Sequence, residues 1–423
     1  MPTPSTRTRV PPTRAAREDL ADGALARCIA PVRANEFRAE HWERRPLVVG
    51  RSGGAGFDDL LSEADVERLL TSGIRHPAFR LVRAGETVRL ADYTVDIPWR
   101  PSAFTGLADV ERIAVEFARG ATVVVQGLHH WWRPLAVFSR ALERELGHPV
   151  QTNAYWTPRD SQGLPIHHDT HDVFVLQVAG EKRWLVYEPA WELPLKEQRY
   201  TAEMGDPGPC VLDLTLRPGD TLYLPRGWLH QAVTSATDSL HLTVGVNPYT
   251  WIDAVRAALS ACEADVRFRR SVSEDGTGGE ELLDALAARL DSAAVARRMR
   301  RRFVATRRPI LDDQLTQVRA LRDLDLATAV ERRATVIADL AVEDDQVTLA
   351  FEGKTIAFPA HARVDLEHAA RAEGRFRASE LRGDLDDAGR LVLVRRLVRE
   401  GFLRISDPGR GAPLPRSGGD AQA

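Results

Sequence analysis

The stretch that decides how this chain is interpreted is Pro165-Ile-His-His-Asp-Thr-His-Asp-Val-Phe-Val-Leu-Gln-Val-Ala-Gly-Glu-Lys182. It places three imidazoles and two carboxylates within six residues, directly before an apolar run of strand character. Polar ligands at the mouth of a sheet, with a buried strand behind them, are typical of a metal site built on a rigid scaffold.

The spacing of the polar residues indicates which of them share a face. On a strand, His167 and Asp169 point the same way and His168 points to the opposite face. An iron oxygenase needs two imidazoles and one carboxylate, with positions left for a cosubstrate and oxygen. The segment Pro225–His230 supplies the third ligand, because its proline and glycine turn the chain sharply after a predicted strand and leave His230 there. Each feature is weak alone, since a His-X-Asp triplet is common and a lone histidine usually lies at a surface or in a core. Their combination in a β-rich region favours a metal site.

Lys182 is a candidate for binding an anion. Only three of the 57 basic residues are lysine, so this chain otherwise uses arginine as its cation. An oxo-diacid that chelates iron through one end needs a cation for its far carboxylate. Lys182 follows a predicted strand and fits that position, although the position alone is equally consistent with a solvated lysine in a hairpin.

Length and composition limit the possible functions. A chain of 423 residues predicts two or three domains. The formal charge of −3 provides no global field for binding nucleic acid or an anionic membrane. Three distant cysteines favour neither a disulfide framework nor a zinc site, and they fit a cytoplasmic protein. No apolar run is long enough to cross a bilayer, so no membrane association is expected.

The region from Gln151 to Tyr249 is rich in short strands separated by proline and glycine. This density predicts a double-sheet β barrel that holds one ligand in its mouth. Six strands are predicted, at Gln151–Trp156, Val173–Val178, Arg183–Tyr187, Val211–Leu216, Thr221–Leu224 and Leu240–Val246.

The regions that flank the barrel have different compositions. Long segments rich in alanine, leucine and arginine follow Pro248 and predict helices, including one from Asp312 to Asp339, whose apolar faces pack together or against a second subunit. Two strands, three helices and a last strand then predict a winged helix. The predicted division is a disordered tail at 1–20, a catalytic domain at 21–250, a helical dimerisation domain at 251–340, a winged helix at 341–408 and a disordered tail at 409–423.

These motifs together resemble the JmjC-type 2-oxoglutarate oxygenases of the cupin superfamily, in particular the branch that hydroxylates ribosomal proteins. The resemblance spans about Ala24 to Tyr249, and the order of barrel, helices and winged helix extends it over most of the chain. The matching runs are Asn153–Pro158, Ser161–Gly163, His167–Asp169, Asp172–Gln177, Gly180–Trp184 and Leu224–Gln231.

The resemblance implies a double-stranded β-helix, a homodimer, and a dioxygenase that uses Fe(II) and 2-oxoglutarate to hydroxylate an arginine or histidine of a ribosomal protein. It assigns the iron to His167, Asp169 and His230. The pocket residues that it implies are Lys182, at the distal carboxylate of the cosubstrate, and Asn153, Tyr155 and Thr157.

Several alternatives remain open at this stage. The same chemistry fits another peptide or a tRNA base, and a non-enzymatic alternative is a metal-binding cupin whose winged helix recruits nucleic acid. Residues 363–404 hold ten arginines against eight acids, which supports DNA binding poorly. The basic cluster Arg297–Arg302 fits ribosomal RNA, an acidic partner or a solvated helix face. His171 faces the metal side and contacts substrate if the strand is regular; the favoured alternative places it behind the metal ligands or at the surface. The run His129–Trp132 is predicted as a packed corner before a helix.

Overall fold

The computed structural model describes residues 23–51, 56–205, 207–234, 236–274, 279–343 and 346–408. The predicted tails at 1–20 and 409–423 lie outside these residues. The described chain forms two compact units that divide between Tyr249 and Thr250. Within the described ranges, no helix combines the length and the apolar character that a membrane span requires.

The first unit combines a small set of helices with most of the strands. Its helices are α1 (Ala24–Ile29), α2 (Ala34–Glu40), α3 (Glu63–Thr71), α4 (Val110–Ala118) and α5 (Arg133–Leu146). Its strands are β1 (Leu47–Val49), β2 (Phe79–Arg83), β3 (Glu86–Thr87), β4 (Thr94–Ile97), β5 (Phe104–Ala108), β6 (Thr122–Val125), β7 (Val150–Thr157), β8 (Asp172–Gly180), β9 (Lys182–Pro189), β10 (Cys210–Leu216), β11 (Thr221–Leu224), β12 (Trp228–Val233) and β13 (Ser239–Val246).

Two sheets of the first unit face each other. Eight strands form one sheet in the order β1-β11-β8-β13-β7-β6-β2-β3, and three form the other in the order β10-β9-β12. Val173 and Val175 on β8 share a buried apolar cluster with Trp184 and Val186 on β9. The alternate residues of β8, such as Phe174, belong instead to the larger core that includes side chains of α1 and α5. Strand β8 is therefore buried on both faces, which explains its continuous apolar sequence.

Between Gln151 and Tyr249 all six predicted strands are present, and the structure adds one in this region that the sequence did not indicate. Strand β12 (Trp228–Val233) begins directly after the turn at Pro225–Gly227. The predicted turn is present, and His230 lies on the strand that follows it. The polar residues His230 and Gln231 obscured the strand pattern, because a strand that lines a polar cavity does not alternate cleanly.

The second unit mixes helices with short strands. Its helices are α6 (Trp251–Cys262), α7 (Gly279–Arg289), α8 (Ser292–Ala305), α9 (Gln314–Ala320), α10 (Arg363–Arg371) and α11 (Asp387–Arg399). Its strands are β14 (Ala329–Arg332), β15 (Ala338–Glu343), β16 (Gln346–Phe351), β17 (Lys354–Pro359), β18 (Arg375–Arg377) and β19 (Leu403–Ile405). They form two three-stranded sheets, β18-β14-β19 and β15-β16-β17.

The predicted helix from Asp312 to Asp339 is wrong. Only α9 is helical in this range, and β14 and the start of β15 occupy its second half. The carboxylate of Asp325 accepts hydrogen bonds from the Ala327 N–H at 3.1 Å and the Thr328 hydroxyl at 2.6 Å. Such an Asp-centred turn offers the backbone an alternative to helix, and Val330 is then fully buried on a strand.

Candidate metal centre

Three side chains of the first unit converge on one point. Candidate ligand atoms of His167, Asp169 and His230 all lie within 4.8 Å of one another. His230 Nε2 is 3.8 Å from Asp169 Oδ2, and the centroids of the two imidazole rings are 4.4 Å apart. The structure therefore brings together the three residues that the sequence predicted.

Backbone pairing sets this geometry. His167 N–H donates to the His230 carbonyl at 3.1 Å, His230 N–H donates to the His167 carbonyl at 2.8 Å, and Gly227 N–H donates to the Asp169 carbonyl at 3.0 Å. His167 and His230 form an isolated β-bridge before β8 begins. The segment His167–Asp169 therefore does not lie on a regular strand, contrary to the prediction. The side chains of His167 and Asp169 still point to the same side, as expected. His168 points away from them, and its Nε2 lies 3.0 Å from the Gln198 carbonyl.

Both histidines present one nitrogen to the cluster. His167 Nδ1 lies 2.8 Å from the Pro165 carbonyl, and His230 Nδ1 lies 3.0 Å from the Trp228 carbonyl. A carbonyl only accepts, so Nδ1 carries the proton and the Nε2 lone pair is free for a metal. Burial, followed by the neighbouring His167, lowers the pKa of His230 to about 4, which keeps this imidazole neutral at neutral pH.

Asp169 is suited to remain a carboxylate. Burial raises its pKa, but the surrounding histidines, His171 first, lower it by more, so the pKa lies below the usual value. Two neutral imidazoles and one carboxylate, with room around them, are the donor set of a mononuclear Fe(II) site. The residues present therefore fit such an ion.

The cluster opens into a cavity of about 340 Å³ that Lys182 also lines. Lys182 begins β9, is 5% exposed, and donates from Nζ to the Thr157 hydroxyl at 2.9 Å. Burial lowers the pKa of Lys182 to about 7. This lysine is therefore buried in the cavity, and the solvated alternative is excluded.

The predicted pocket residues on β7 occupy different positions. Asn153 and Tyr155 line the cavity, and Asn153 Oδ1 accepts a hydrogen bond from the Gly127 N–H at 3.0 Å. Thr157 is fully buried and accepts the bond from Lys182. Burial raises the pKa of Tyr155 to about 12, so its phenol stays protonated.

The sequence did not indicate His241 as a cavity residue. It lies on β13, is 3% exposed, and stacks on Tyr155 with ring centroids 5.1 Å apart and an interplanar angle of 5°. Burial, and next the charge of Lys182, hold the pKa of His241 well below its usual value. The sequence feature that could have indicated His241 is its place as a histidine inside an apolar predicted strand. Its contact with Tyr155 is evident only from the pairing of β13 with β7.

Two further predictions concern other histidines. His171 lines the same cavity, with Nδ1 3.7 Å from Asp169 Oδ1, so it faces the metal side. The run His129–Trp132 forms the predicted corner before α5 but is only partly packed: His129 Nδ1 accepts from the Thr152 N–H at 3.0 Å and Trp132 Nε1 donates to the Leu60 carbonyl at 2.8 Å, whereas Trp131 is 40% exposed.

Residues 129–254 match the JmjC domain family. This chain contains a JmjC domain. The match covers β7 to β13 and so includes all three residues of the cluster. Over this JmjC domain and its surroundings, the chain is similar to the ribosomal-oxygenase branch, as its motifs predicted.

Several curated proteins are similar to this chain over about half of its length. The chain is 32% identical over 223 residues to the bifunctional lysine-specific demethylase and histidyl-hydroxylase NO66 of Drosophila persimilis, covering 52% of this chain and 31% of that protein. It is 33% identical over 269 residues to ribosomal oxygenase 1 of Homo sapiens, covering 58% and 39%. It is 31% identical over 250 residues to ribosomal oxygenase 2 of Rattus norvegicus, covering 56% and 50%. The chain thus spans at most about half the length of these curated relatives.

Solved structures extend the likeness to the fold outside the JmjC domain. The Escherichia coli ribosomal oxygenase YcfD matches with a TM-score of 0.53 and 20% identity, over 88% of this chain and 98% of that one. The same enzyme in complex with cobalt and 2-oxoglutarate matches with a TM-score of 0.53 and 19% identity, over 89% and 99%. At this identity the likeness establishes a shared fold.

Proposed function

We propose that this protein is an Fe(II)- and 2-oxoglutarate-dependent dioxygenase that hydroxylates an arginine or histidine side chain of a ribosomal protein. The observation that carries the proposal is that one cavity holds both the His167, Asp169 and His230 cluster and the buried ammonium of Lys182. The cluster fits Fe(II), and the ammonium fits the far carboxylate of a short dicarboxylate.

Each group of residues has a separate task in this proposal. Iron and 2-oxoglutarate, when bound, would use dioxygen to hydroxylate a C–H bond: one oxygen atom would enter the substrate, and the other would enter the succinate that forms as 2-oxoglutarate loses CO2. His167, Asp169 and His230 hold the ion from one side. Lys182 orients the cosubstrate by its distal carboxylate, and Thr157 positions the ammonium. The apolar side chains of Val173 and Val175 line the cavity and exclude water from it.

The substrate class follows from the names of related proteins. NO66 is named a histidyl-hydroxylase, and the human, rat and bacterial relatives are named ribosomal oxygenases. The motifs of this chain that resemble the ribosomal-oxygenase branch extend around the cluster, including the segments on both sides of Asp169 and the turn before β12. A ribosomal protein is therefore the favoured substrate for this chain as well.

Binding of 2-oxoglutarate tests the reaction class without a protein substrate. Under anaerobic conditions, wild-type protein loaded with Fe(II) should bind 2-oxoglutarate and develop the visible absorption of the iron–oxoacid chelate. His167→Ala should lose this absorption. His168→Ala is the matched control, because His168 is adjacent in sequence but its ring contacts the Gln198 carbonyl instead of the cluster. A wild-type protein that binds 2-oxoglutarate equally well with and without Fe(II) would contradict the proposal.

Ribosomal proteins test the substrate. Ribosomal proteins isolated from cells that lack this gene should gain the mass of one oxygen on a single peptide when treated with wild-type protein, Fe(II), 2-oxoglutarate and air. His167→Ala protein should leave them unchanged. If the protein turns over 2-oxoglutarate but no ribosomal protein gains oxygen, the reaction class is retained and the substrate assignment is rejected.

The fold proposal goes further than the JmjC likeness. We propose that the two facing sheets of the first unit close into a double-stranded β-helix barrel, which the shared cluster of Val173, Trp184 and Leu214 supports.

In the second unit, β14 pairs with β18 and β19, and β15 pairs with β16. We therefore propose a winged helix that begins near Ala329, ahead of the boundary at residue 341 that the sequence predicted.

We also propose that the protein is a homodimer in the cytoplasm. Helix α6 exposes Trp251 at 73% and Leu259 at 47%, and α7 exposes Leu283 at 65%, which is unusual for helices facing water. Sedimentation equilibrium of the full chain should give twice the monomer mass, and Trp251→Glu should shift it toward the monomer.

The cytoplasmic location is supported by the cysteines: Cys28, Cys210 and Cys262 are all free thiols, which fits a reducing compartment.

A further inference from the structure

The ring of His171 lies between the metal cluster and a glycine on β13. We propose that His171 is a positioning residue: it donates a hydrogen bond to the Asp169 oxygen that faces away from the metal, so that Asp169 binds the metal through its other oxygen only. Gly245 provides the space for the His171 ring. This inference rests on the proposed function, because it requires a metal at the His167, Asp169 and His230 cluster.

The two oxygens of Asp169 face different partners. Oδ2 is 3.8 Å from His230 Nε2, and this oxygen therefore lies on the metal side of the carboxylate. Oδ1 is 3.7 Å from His171 Nδ1, which is beyond hydrogen-bond length, so the two atoms must approach by a short distance for a hydrogen bond to form. When Oδ2 binds a cation, Oδ1 is the oxygen left to accept a hydrogen bond from His171 Nδ1.

The position of the His171 ring, and not the backbone conformation, is what requires glycine at position 245. It pairs with Val173 of β8 and Gln151 of β7 in the middle of the large sheet, and its φ angle is outside the left-handed region. A Cβ at this position would lie 2.3 Å from Cδ2 and 2.5 Å from Nε2 of His171. Glycine weakens a central strand and often marks a close approach of another group. The close approach here is the imidazole of His171.

Holding one carboxylate oxygen has a chemical purpose. A carboxylate that binds iron through both oxygens occupies a position that the cosubstrate or oxygen needs. A hydrogen bond to the outer oxygen favours one-oxygen binding and also fixes the carboxylate plane. A neutral imidazole with its proton on Nδ1 is sufficient for this, so the role does not depend on the charge of His171.

Cobalt(II) alone is the probe, because its visible spectrum reports the ligand geometry directly. We expect His171→Ala to weaken Co(II) binding roughly 10- to 100-fold and to change the spectrum, as loss of an outer hydrogen bond to a metal ligand generally does. His171→Asn keeps an amide N–H near the position of Nδ1 and should recover most of the affinity. Gly245→Ala should weaken binding similarly, because its Cβ displaces the ring.

The double variant separates this role from a general loss of stability. If Gly245→Ala acts only by displacing the ring, it should have no further effect on Co(II) affinity in a His171→Ala background. Urea unfolding of each variant measures stability independently, and a merely structural role would change the unfolding midpoint without changing the cobalt spectrum.

Three outcomes would overturn the inference. His171→Ala could bind Co(II) with the affinity and spectrum of the wild type, or the effect of Gly245→Ala could persist undiminished without the histidine. The first result rejects the role of His171, and the second rejects the role of Gly245 as the space for its ring, while the proposed function stands in both cases. If wild type and His167→Ala bind Co(II) equally, the metal site itself is absent, and both the proposed function and this inference fail.

Discussion

His167 and His230 are joined by two reciprocal backbone hydrogen bonds, of 3.1 and 2.8 Å, although they are 63 residues apart in the sequence. The pair ties the segment before β8 to β12, and the two imidazoles consequently lie side by side. The ligand spacing thus depends on main-chain pairing and on the turn that leads into β12.

Gly227 is the position in that turn where a side chain should be least tolerated. Its φ is +90°, its N–H donates to the Asp169 carbonyl, and an added Cβ would lie 2.2 Å from the Trp191 carbonyl oxygen. We expect Gly227→Ala to lower the free energy of unfolding by about 2 kcal/mol or more, from left-handed strain and the backbone clash. Metal affinity should fall as well, because the turn moves the ligand segments apart.

Gly208 provides the control for this variant. It lies outside the left-handed region, and a Cβ there would meet nothing within 4 Å. Gly208→Ala should change the free energy of unfolding by less than about 0.5 kcal/mol. Urea denaturation and Co(II) titration of both variants make the comparison, and equal effects of the two would reject the role assigned to the turn.

Lys182 should make the binding of 2-oxoglutarate dependent on pH. Burial lowers its pKa to about 7, so the free cavity loses the positive charge as the pH rises through that value. The distal carboxylate needs the ammonium form, and we expect affinity to fall up to about tenfold per pH unit above 7, with uptake of a proton on binding. Calorimetry in buffers of different ionisation enthalpy measures this uptake. Lys182→Met should bind 2-oxoglutarate weakly at every pH, whereas the exposed Lys196→Met should behave as the wild type.

The same lysine should destabilise the protein in the absence of a ligand. Between pH 7 and the ordinary lysine pKa, the unfolded chain binds a proton that the folded chain does not, so stability from this group rises with pH in that window. The cost is fully present below pH 7. We therefore expect Lys182→Met to raise the free energy of unfolding by roughly 1–3 kcal/mol at pH 6, with a smaller gain at pH 10. A gain that is equal at both pH values would contradict this explanation.

Arg226 should be important for stability because its partner is buried. Arg226 Nη1 lies 3.0 Å from Asp172 Oδ2, and the two side chains are 6% and 0% exposed. Burial raises the pKa of Asp172, with the charge of Arg226 opposing this effect. Arg226→Ala leaves a buried carboxylate without its cation, which should cost about 3–5 kcal/mol in chemical denaturation. Arg183 and Asp213 form a comparison pair with side chains about half exposed, and Arg183→Ala should leave the denaturation midpoint close to that of the wild type.

The sequence by itself determined which three residues converge at the candidate metal centre and most of the strands around it. His167 and Asp169 are identified by their spacing, because alternation along an extended chain is a local property. The six predicted strands were likewise found from short β-branched and aromatic runs. The predicted helix at 312–339 failed where a polar turn at Asp325 and the burial of Val330 outweighed a helical composition.

Only the tertiary structure decided how the cavity is completed. The burial of Lys182 depends on its contact with Thr157 of β7 and on the cavity side chains of other strands, whereas its position in the sequence fitted a solvated lysine equally well. His241 meets Tyr155 only because β13 pairs with β7, and Gly245 faces His171 only because β13 also pairs with β8. Burial and cross-strand contacts join residues that are distant in sequence, so no local pattern encodes them.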